Sequence, residues 1–446
     1  MSTRDDIRLA KRMMRLAKAR GATGVVCSVA TSSYEAVEVR DGRQEKFDTV
    51  LGRRDLALSV LVGKREAHIG TTRLDPCYLD VLVEKVVEMA KAATENPYAV
   101  MAGAELWPCD PSLLPEKEAV LELCDNSTPP SAKEMRALAL DLEGRALSYR
   151  GVAKSAGASV SRSVGENILV TSEGFVAQNK RTRYSKGVSV IAVKGNEMNS
   201  GGDYHSARHF CDLRRNEICA ALAGERAVML LGGTPVPTEV MPVIFDSPVA
   251  ARVLGWFFRG IGGSAVFFKS TFLADKKGEQ VFPDDVTIVD DPHLPRMLGS
   301  QLYDDDCVRT ARNELVSRGK LMMWVTSLES GMQLQIPSTG HAGGMSNLIL
   351  LPGVRTREEL VRSIERGFLV TGLLGHGPNM ATGDLSSGAE GLLIENGTVT
   401  RPVAEVTVAG NLLDLWRTMQ CASDTQEHGQ VCTPSLLFDH MTVAGK

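Results

Sequence analysis

Histidines at regular spacing, lone cysteines and glycine-flanked histidines are the groups in this chain that could do chemistry. In DYHSARHF, His205 and His209 are four residues apart. On a helix that spacing puts two imidazoles on one face, as a zinc site needs. The hydrolytic version also needs a glutamate after the first histidine as general base, and Ser206 stands there. Cys211 is close, but no third ligand is adjacent, so both histidines are expected to be satisfied structurally. GGSAV (262–266) lacks the closing glycine of a nucleophile elbow. In STGHAGG (338–344), His341 sits among small residues that permit close backbone approach. As a catalytic base it would need a partner to fix its tautomer, so the leading reading is a turn that shapes a cleft. The stretch 371–391, TGLLGHGPNMATGDLSSGAEG, has no Gly-Lys-Ser/Thr for a phosphate loop, and its glycines are not at dinucleotide-fingerprint spacing. His376 and Asp384 could form an acid–base pair, but Asp384 after Gly383 is equally a turn former. Backbone scaffolding is the reading that remains. Cys421 and Cys432 read as packing.

The elements that must position these groups are legible in part. Ile7, Ala10, Met13, Met14 and Ala17 make one face of an N-terminal helix that Gly21 stops, and its Arg and Lys residues make a solvated face. Strands are expected at 25–30, 34–40, 55–62 and 65–71, with tight turns at Asp41-Gly42 and Gly63-Lys64. Asp75-Pro76 opens a helix, and a Pro-rich connector spans about 94–130. Ser131 to Glu134 forms a capping box for a helix through about Leu147. Alternating segments follow at 152–163, 166–172 and 183–194, with Glu173-Gly174 as a turn. The order helix, antiparallel strands, helix thus occurs twice. Gly and Pro cluster at 224–242, and beyond them helices are expected at 247–258, 356–367 and 412–418. The expected class is α+β: an N-terminal helix and antiparallel-sheet domain at 1–223, then a β-rich C-terminal domain at 224–446.

Composition bounds the function. With 446 residues, 43% hydrophobic and 23% charged, the chain can build two or three domain cores. A net charge of −4 gives no electrostatic footprint for nucleic acid. Nine scattered cysteines without a CxxC fit a reducing compartment. The N-terminal stretch lacks an apolar signal core, and no run of 18 apolar residues predicts a membrane span. A cytoplasmic protein is expected.

Several ordered phrases resemble one family: KSTFL (269–273), VRT (308–310), STGHAGG (338–344), TGDLSSGAEG (382–391), ENG (395–397), PVAEVTVAGNLLDLW (402–416) and the closing AGK. Together they are similar to the TldD/PmbA family, and specifically to its PmbA (TldE) branch. The resemblance covers 240–446 most closely and is collinear before that. It implies a two-subunit cytoplasmic zinc peptidase that degrades unfolded peptides and processes precursors of modified peptides. The TldD partner supplies an HExxxH helix and a cysteine that bind zinc. The matching stretch here is FDSPVAARVLGWF (245–257), in which Ser247 and Pro248 stand for the first histidine and the glutamate, and Arg252 for the second histidine. Cys432 matches the cysteine ligand and can serve only if a partner supplies the rest. A guanidinium about 4 Å from Zn²⁺ would cost roughly 8 kcal/mol at an effective dielectric near 20. His376 departs from a common glutamine, Ser387 from a common arginine, and VCTPS from QCGS.

The resemblance implies no catalytic residue and no zinc in this chain. It implies a cleft or partner interface built by Gly340, His341, Gly343, Gly344, His376, Gly383, Asp384 and Ser386, with a TldD-like catalytic chain as partner, or a homodimer in isolation. Two other functions fit the residues less well: an independent hydrolase built on His205, His209 or His341, and a stand-alone binding module of the gyrase-modulator type.

Overall fold

The computed structural model describes residues 3–445. Met1 and Ser2 of the N-terminal stretch and Lys446 of the closing AGK lie outside the described residues. Two similar units build the first half. The first comprises α1 (Thr3–Ala19), β1 (Gly24–Arg40), β2 (Arg43–Val62), β3 (Arg65–Thr71) and α2 (Pro76–Ala92). The connector carries the short α3 (Leu114–Val120). The second comprises α4 (Ala132–Leu147), β4 (Val152–Thr171), β5 (Val176–Lys194), β6 (Glu197–Ala207) and α5 (Asn216–Met229). All six strands form one antiparallel sheet in the order β3-β2-β1-β4-β5-β6. The order repeated along the sequence is therefore a repeat in space, two three-stranded meanders joined along β1 and β4. Each buries its apolar stripe under its own helices. Met13, Leu79, Val83 and Val86 meet Val25 and Leu56, and Met135, Leu142 and Ala223 meet Val160 and Val190.

Several expectations change here. Strand β2 starts at Arg43, not at 55, and β4 is continuous where the pattern suggested two segments. Both are paired along most of their length, and a partner strand overrides weak local preference. His205 lies on β6, opposite Lys186 on β5, and His209 lies beyond the strand. The helix face that would have joined them does not exist, because 197–207 pairs as an edge strand. Helix α5 also runs through residues 223 and 224 and ends at Met229.

The second half runs β7 (Glu239–Phe245), α6 (Ser247–Gly260), α7 (Gly263–Phe267), β8 (Ile288–Asp290), β9 (Asn313–Ser317), β10 (Lys320–Leu321), α8 (Leu328–Leu334) and β11 (Leu348–Leu350). It continues through α9 (Arg357–Arg362), β12 (Arg366–Leu374), β13 (Asp384–Glu395), β14 (Thr398–Asn411) and α10 (Leu412–Arg417). It ends with β15 (Gln420–Cys421), β16 (Gln426–His428), β17 (Val431–Thr433) and β18 (Leu436–Ala444). One sheet has the order β14-β13-β12-β7-β18-β15, and β14 also pairs with β18, so the sheet closes on itself. The other has the order β10-β9-β8-β11-β17-β16. Helix α6 shares one core with both. Its Val253, Trp256 and Phe257 pack among Phe245, Phe282, Leu348 and Trp416, and Phe282 stacks on Trp416 with centroids 5.2 Å apart. The helix expected at 356–367 ends at Arg362, since residues from Arg366 pair as β12, parallel to β7. Among the described residues, no helix is long and apolar enough to cross a membrane.

Helix α4 also clamps the first hairpin. Asp41 and Gly42 take positive φ values of 51° and 74°, and their N–H groups donate to the Glu143 carboxylate at 2.8 and 3.0 Å. The Ser155 hydroxyl donates to the same carboxylate. Glu143 is almost fully buried. Glu143→Ala removes the acceptor of all three hydrogen bonds and should lower the unfolding free energy by roughly 2–3 kcal/mol, read from urea denaturation. An unchanged midpoint would remove this clamp from the account of the fold.

Candidate functional site

Helix α6 begins at the expected degenerate motif, and its first turn is held by hydrogen bonds that leave no donor for a metal. Ser247 is fully buried. Its hydroxyl donates to the Thr433 carbonyl at 2.7 Å and lies 2.8 Å from His428 Nε2. Because the single hydroxyl hydrogen goes to Thr433, His428 Nε2 must carry the proton that completes the second bond. Pro248 follows and brings no ligating atom. Arg252, one turn on, donates from Nη1 to the Leu373 carbonyl at 2.6 Å. Cys432 is half-buried, and burial followed by nearby Glu427 pushes its thiol up to about 11. Zinc wants thiolate, imidazole or carboxylate, and these side chains do not fit it. Among the described residues, no group of three or more His, Cys, Asp or Glu could hold a metal ion.

Two clefts flank this helix. The first, of about 690 Å³, lies between the N-terminal sheet and the α6 start, and Pro248, Asp203, His205, Arg214 and Arg226 line it. Asp203 is buried and bridges Arg214 at 2.7 Å and Arg226 at 3.0 Å. The second, of about 1010 Å³, is lined by Arg252, Arg259, His341, Gly343, Gly344 and His376 among others. The β16–β17 hairpin contributes to both, through Gln426–Gly429 and Gln430 respectively.

The STGHAGG loop is clamped from behind by acids. His341 Nε2 lies 3.2 Å from Asp290 Oδ2, with both side chains almost fully buried, although the angle is poor for a hydrogen bond. His341 Nδ1 is 2.8 Å from Thr339 Oγ1. Asp290 accepts from the Ser346 N–H. Asp304 accepts the Ala342 N–H at 2.9 Å, together with those of Asp306 and Val308. Burial pushes Asp304 up to about 7, against the pull of these donors. Gly343 has φ +94°, and a Cβ there would stand 2.5 Å from an Asp305 oxygen. Glycine is required at that point.

The other expected residues separate. Gly340 (φ +75°) packs on the Arg309 carbonyl behind the loop. His376 is exposed in the second cleft. Gly383, Asp384 and Ser386 do not line that cleft. Asp384 opens β13 and accepts from Asn411 Nδ2 at 3.0 Å, and its carboxyl is held low by Thr382 and Asn411. It is the turn former of the two readings. Ser386 is exposed on β13. His205 Nδ1 accepts from the Arg214 N–H, and His209 Nε2 meets the Glu122 carbonyl. Ser264 lies on the five-residue α7, not on a strand-to-helix elbow. Cys421 is buried, and its thiol is pushed up to about 12. Sequence reasoning missed His428, Asp290 and Arg259. The first two sit 181 and 51 positions from their partners, and no local pattern marks them.

Residues 125–231 match the PmbA/TldA metallopeptidase central domain, and 238–445 match the C-terminal domain. The metalloprotease PmbA homologue of Haemophilus influenzae is 31% identical over 427 residues, covering 95% of this chain and 93% of that protein. The chain belongs to the PmbA/TldD family. Among solved structures, a Bacteroides thetaiotaomicron protein named for modulation of DNA gyrase superposes over the whole of both chains, with TM-score 0.89 and 25% identity. TldE from Thermococcus kodakarensis has the same fold, with TM-score 0.80 and 20% identity, covering 98% of this chain and all of that one.

The Ser247–His428 contact gives a pH prediction. Burial, then Arg214 and Arg226, disfavour charge on His428, against weaker support from Asp246 and Asp203, so its pKa is held below 6.5. A histidine with a lowered folded pKa stabilises above its unfolded value and loses that contribution as pH falls through it. Hydrogen exchange at 426–433, corrected for intrinsic rates, should therefore accelerate below about pH 6.5 in the native protein and much less in His428→Gln. Equal pH responses would refute the assignment.

Proposed function

We propose that this chain is the PmbA/TldE-type subunit of a two-chain zinc metallopeptidase, lining and closing the peptide chamber while a TldD-type partner carries the metal. The observation that carries the reading is the start of α6. There a buried serine engaged by His428 and Thr433, a proline and a tethered arginine stand in the metal-binding positions. The second cleft supports the chamber role. Seven of its lining residues are glycine, which lets a peptide main chain come close. An extended peptide bound as an added strand gains main-chain hydrogen bonds with little demand on sequence. That suits unfolded peptides and precursors of modified peptides. Nine free cysteines favour the reducing cytoplasm as the compartment. An independent hydrolase on His205, His209 and His341 finds little support, because each ring is already engaged by the protein.

The purified chain alone should bind no stoichiometric zinc and cleave no unfolded peptide, and adding a TldD-type chain should give zinc-dependent cleavage. Metal analysis finding one tight zinc per chain in the isolated protein would overturn the reading.

A further inference from the structure

The second cleft carries uncompensated positive charge. Arg252 and Arg259 both line it from α6, and no aspartate or glutamate lines it. This is a local departure from a chain whose net charge is −4. Arg252 is tethered through Nη1 to the Leu373 carbonyl, which leaves the rest of its guanidinium free. Arg259 is exposed and makes no side-chain hydrogen bond or ion pair among the described residues. The nearby carboxylates of Asp290, Asp304 and Asp306 are turned to backbone N–H groups instead. One free guanidinium and the unused edge of a second, in one concave wall, match carboxylate geometry.

We propose that this cleft binds carboxylate groups of an extended peptide, on Arg259 and on the free face of Arg252. The inference rests on the peptide-chamber reading and adds a ligand chemistry to it. Seven residues of helix separate the two arginines by about 10 Å. An extended chain covers that in roughly three residues. A peptide with a free C-terminal carboxylate and an acidic side chain three positions earlier would engage both, with its main chain against the glycine loops.

The test uses the full-length protein and a fluorescent hexapeptide in four forms: with a free or amidated C-terminus, each with Glu or Gln three residues upstream. Anisotropy should give the tightest binding for the doubly acidic form and a loss of about tenfold on removing both charges, with affinity falling as salt rises. The amidated and Gln forms separate the terminal from the side-chain source. Because the Arg259 side chain makes no hydrogen bond or ion pair among the described residues, Arg259→Gln should leave the melting temperature nearly unchanged while reducing the contrast between peptides. The double variant with Arg252→Gln should abolish the contrast. Equal binding of all four forms, or a contrast that survives in the double variant, overturns the carboxylate assignment and leaves the chamber reading standing. Failure of every form to bind overturns both.

Discussion

A single hydroxyl hydrogen organises the centre of this molecule. Ser247 can donate once, and it donates to the Thr433 carbonyl. That choice obliges His428 to present Nε2–H and ties the start of α6 to β16 and β17. A buried hydroxyl without partners would cost free energy, so the two bonds are needed once Ser247 is buried. The same bonds remove the helix start as a ligand set.

Acidic groups around the glycine loop follow the same logic. Asp290 and Asp304 are buried and Asp306 is half-buried, and burial disfavours charge on Asp304 and Asp306. Each accepts backbone N–H groups from loop or helix starts. They act as scaffolding that fixes 338–346. Their orientation has an electrostatic consequence, because it withdraws negative charge from the cleft wall while Arg252 and Arg259 remain on it.

What was readable in the sequence follows the range of the interaction. Caps and tight turns depend on neighbours within four residues. The Ser131–Glu134 capping box, the Asp75 cap and the Asp41-Gly42 turn are accordingly where the residue types put them. The repeated helix–strands–helix order was visible, but its joining into one sheet along β1 and β4 was not, since that pairing links residues more than a hundred positions apart. The histidines at 205 and 209 show how spacing misleads: a period of four means a shared face only on a helix, and β5 captured the segment as a strand. In the site, only the family resemblance, and no local pattern, pointed to positions 247, 248 and 252. The groups that occupy those positions' neighbours, His428 and Leu373, lie too far along the chain for any local pattern to report.

The arrangement also bears on how the cleft keeps its shape. Cleft walls built of glycine have no side chains to hold them open, so their shape must be imposed from behind. Here it is imposed by buried carboxylates on one side and by the aromatic cluster of Phe257, Phe282 and Trp416 beneath α6 on the other. Buried carboxylates are costly to retain in a protein that needs only stability, since apolar packing of the same volume would do as well. Their persistence around one loop is best understood if the loop's backbone geometry matters for what lies against it. That ties the energetics of the core to the binding surface, independently of whether any metal is held by this chain.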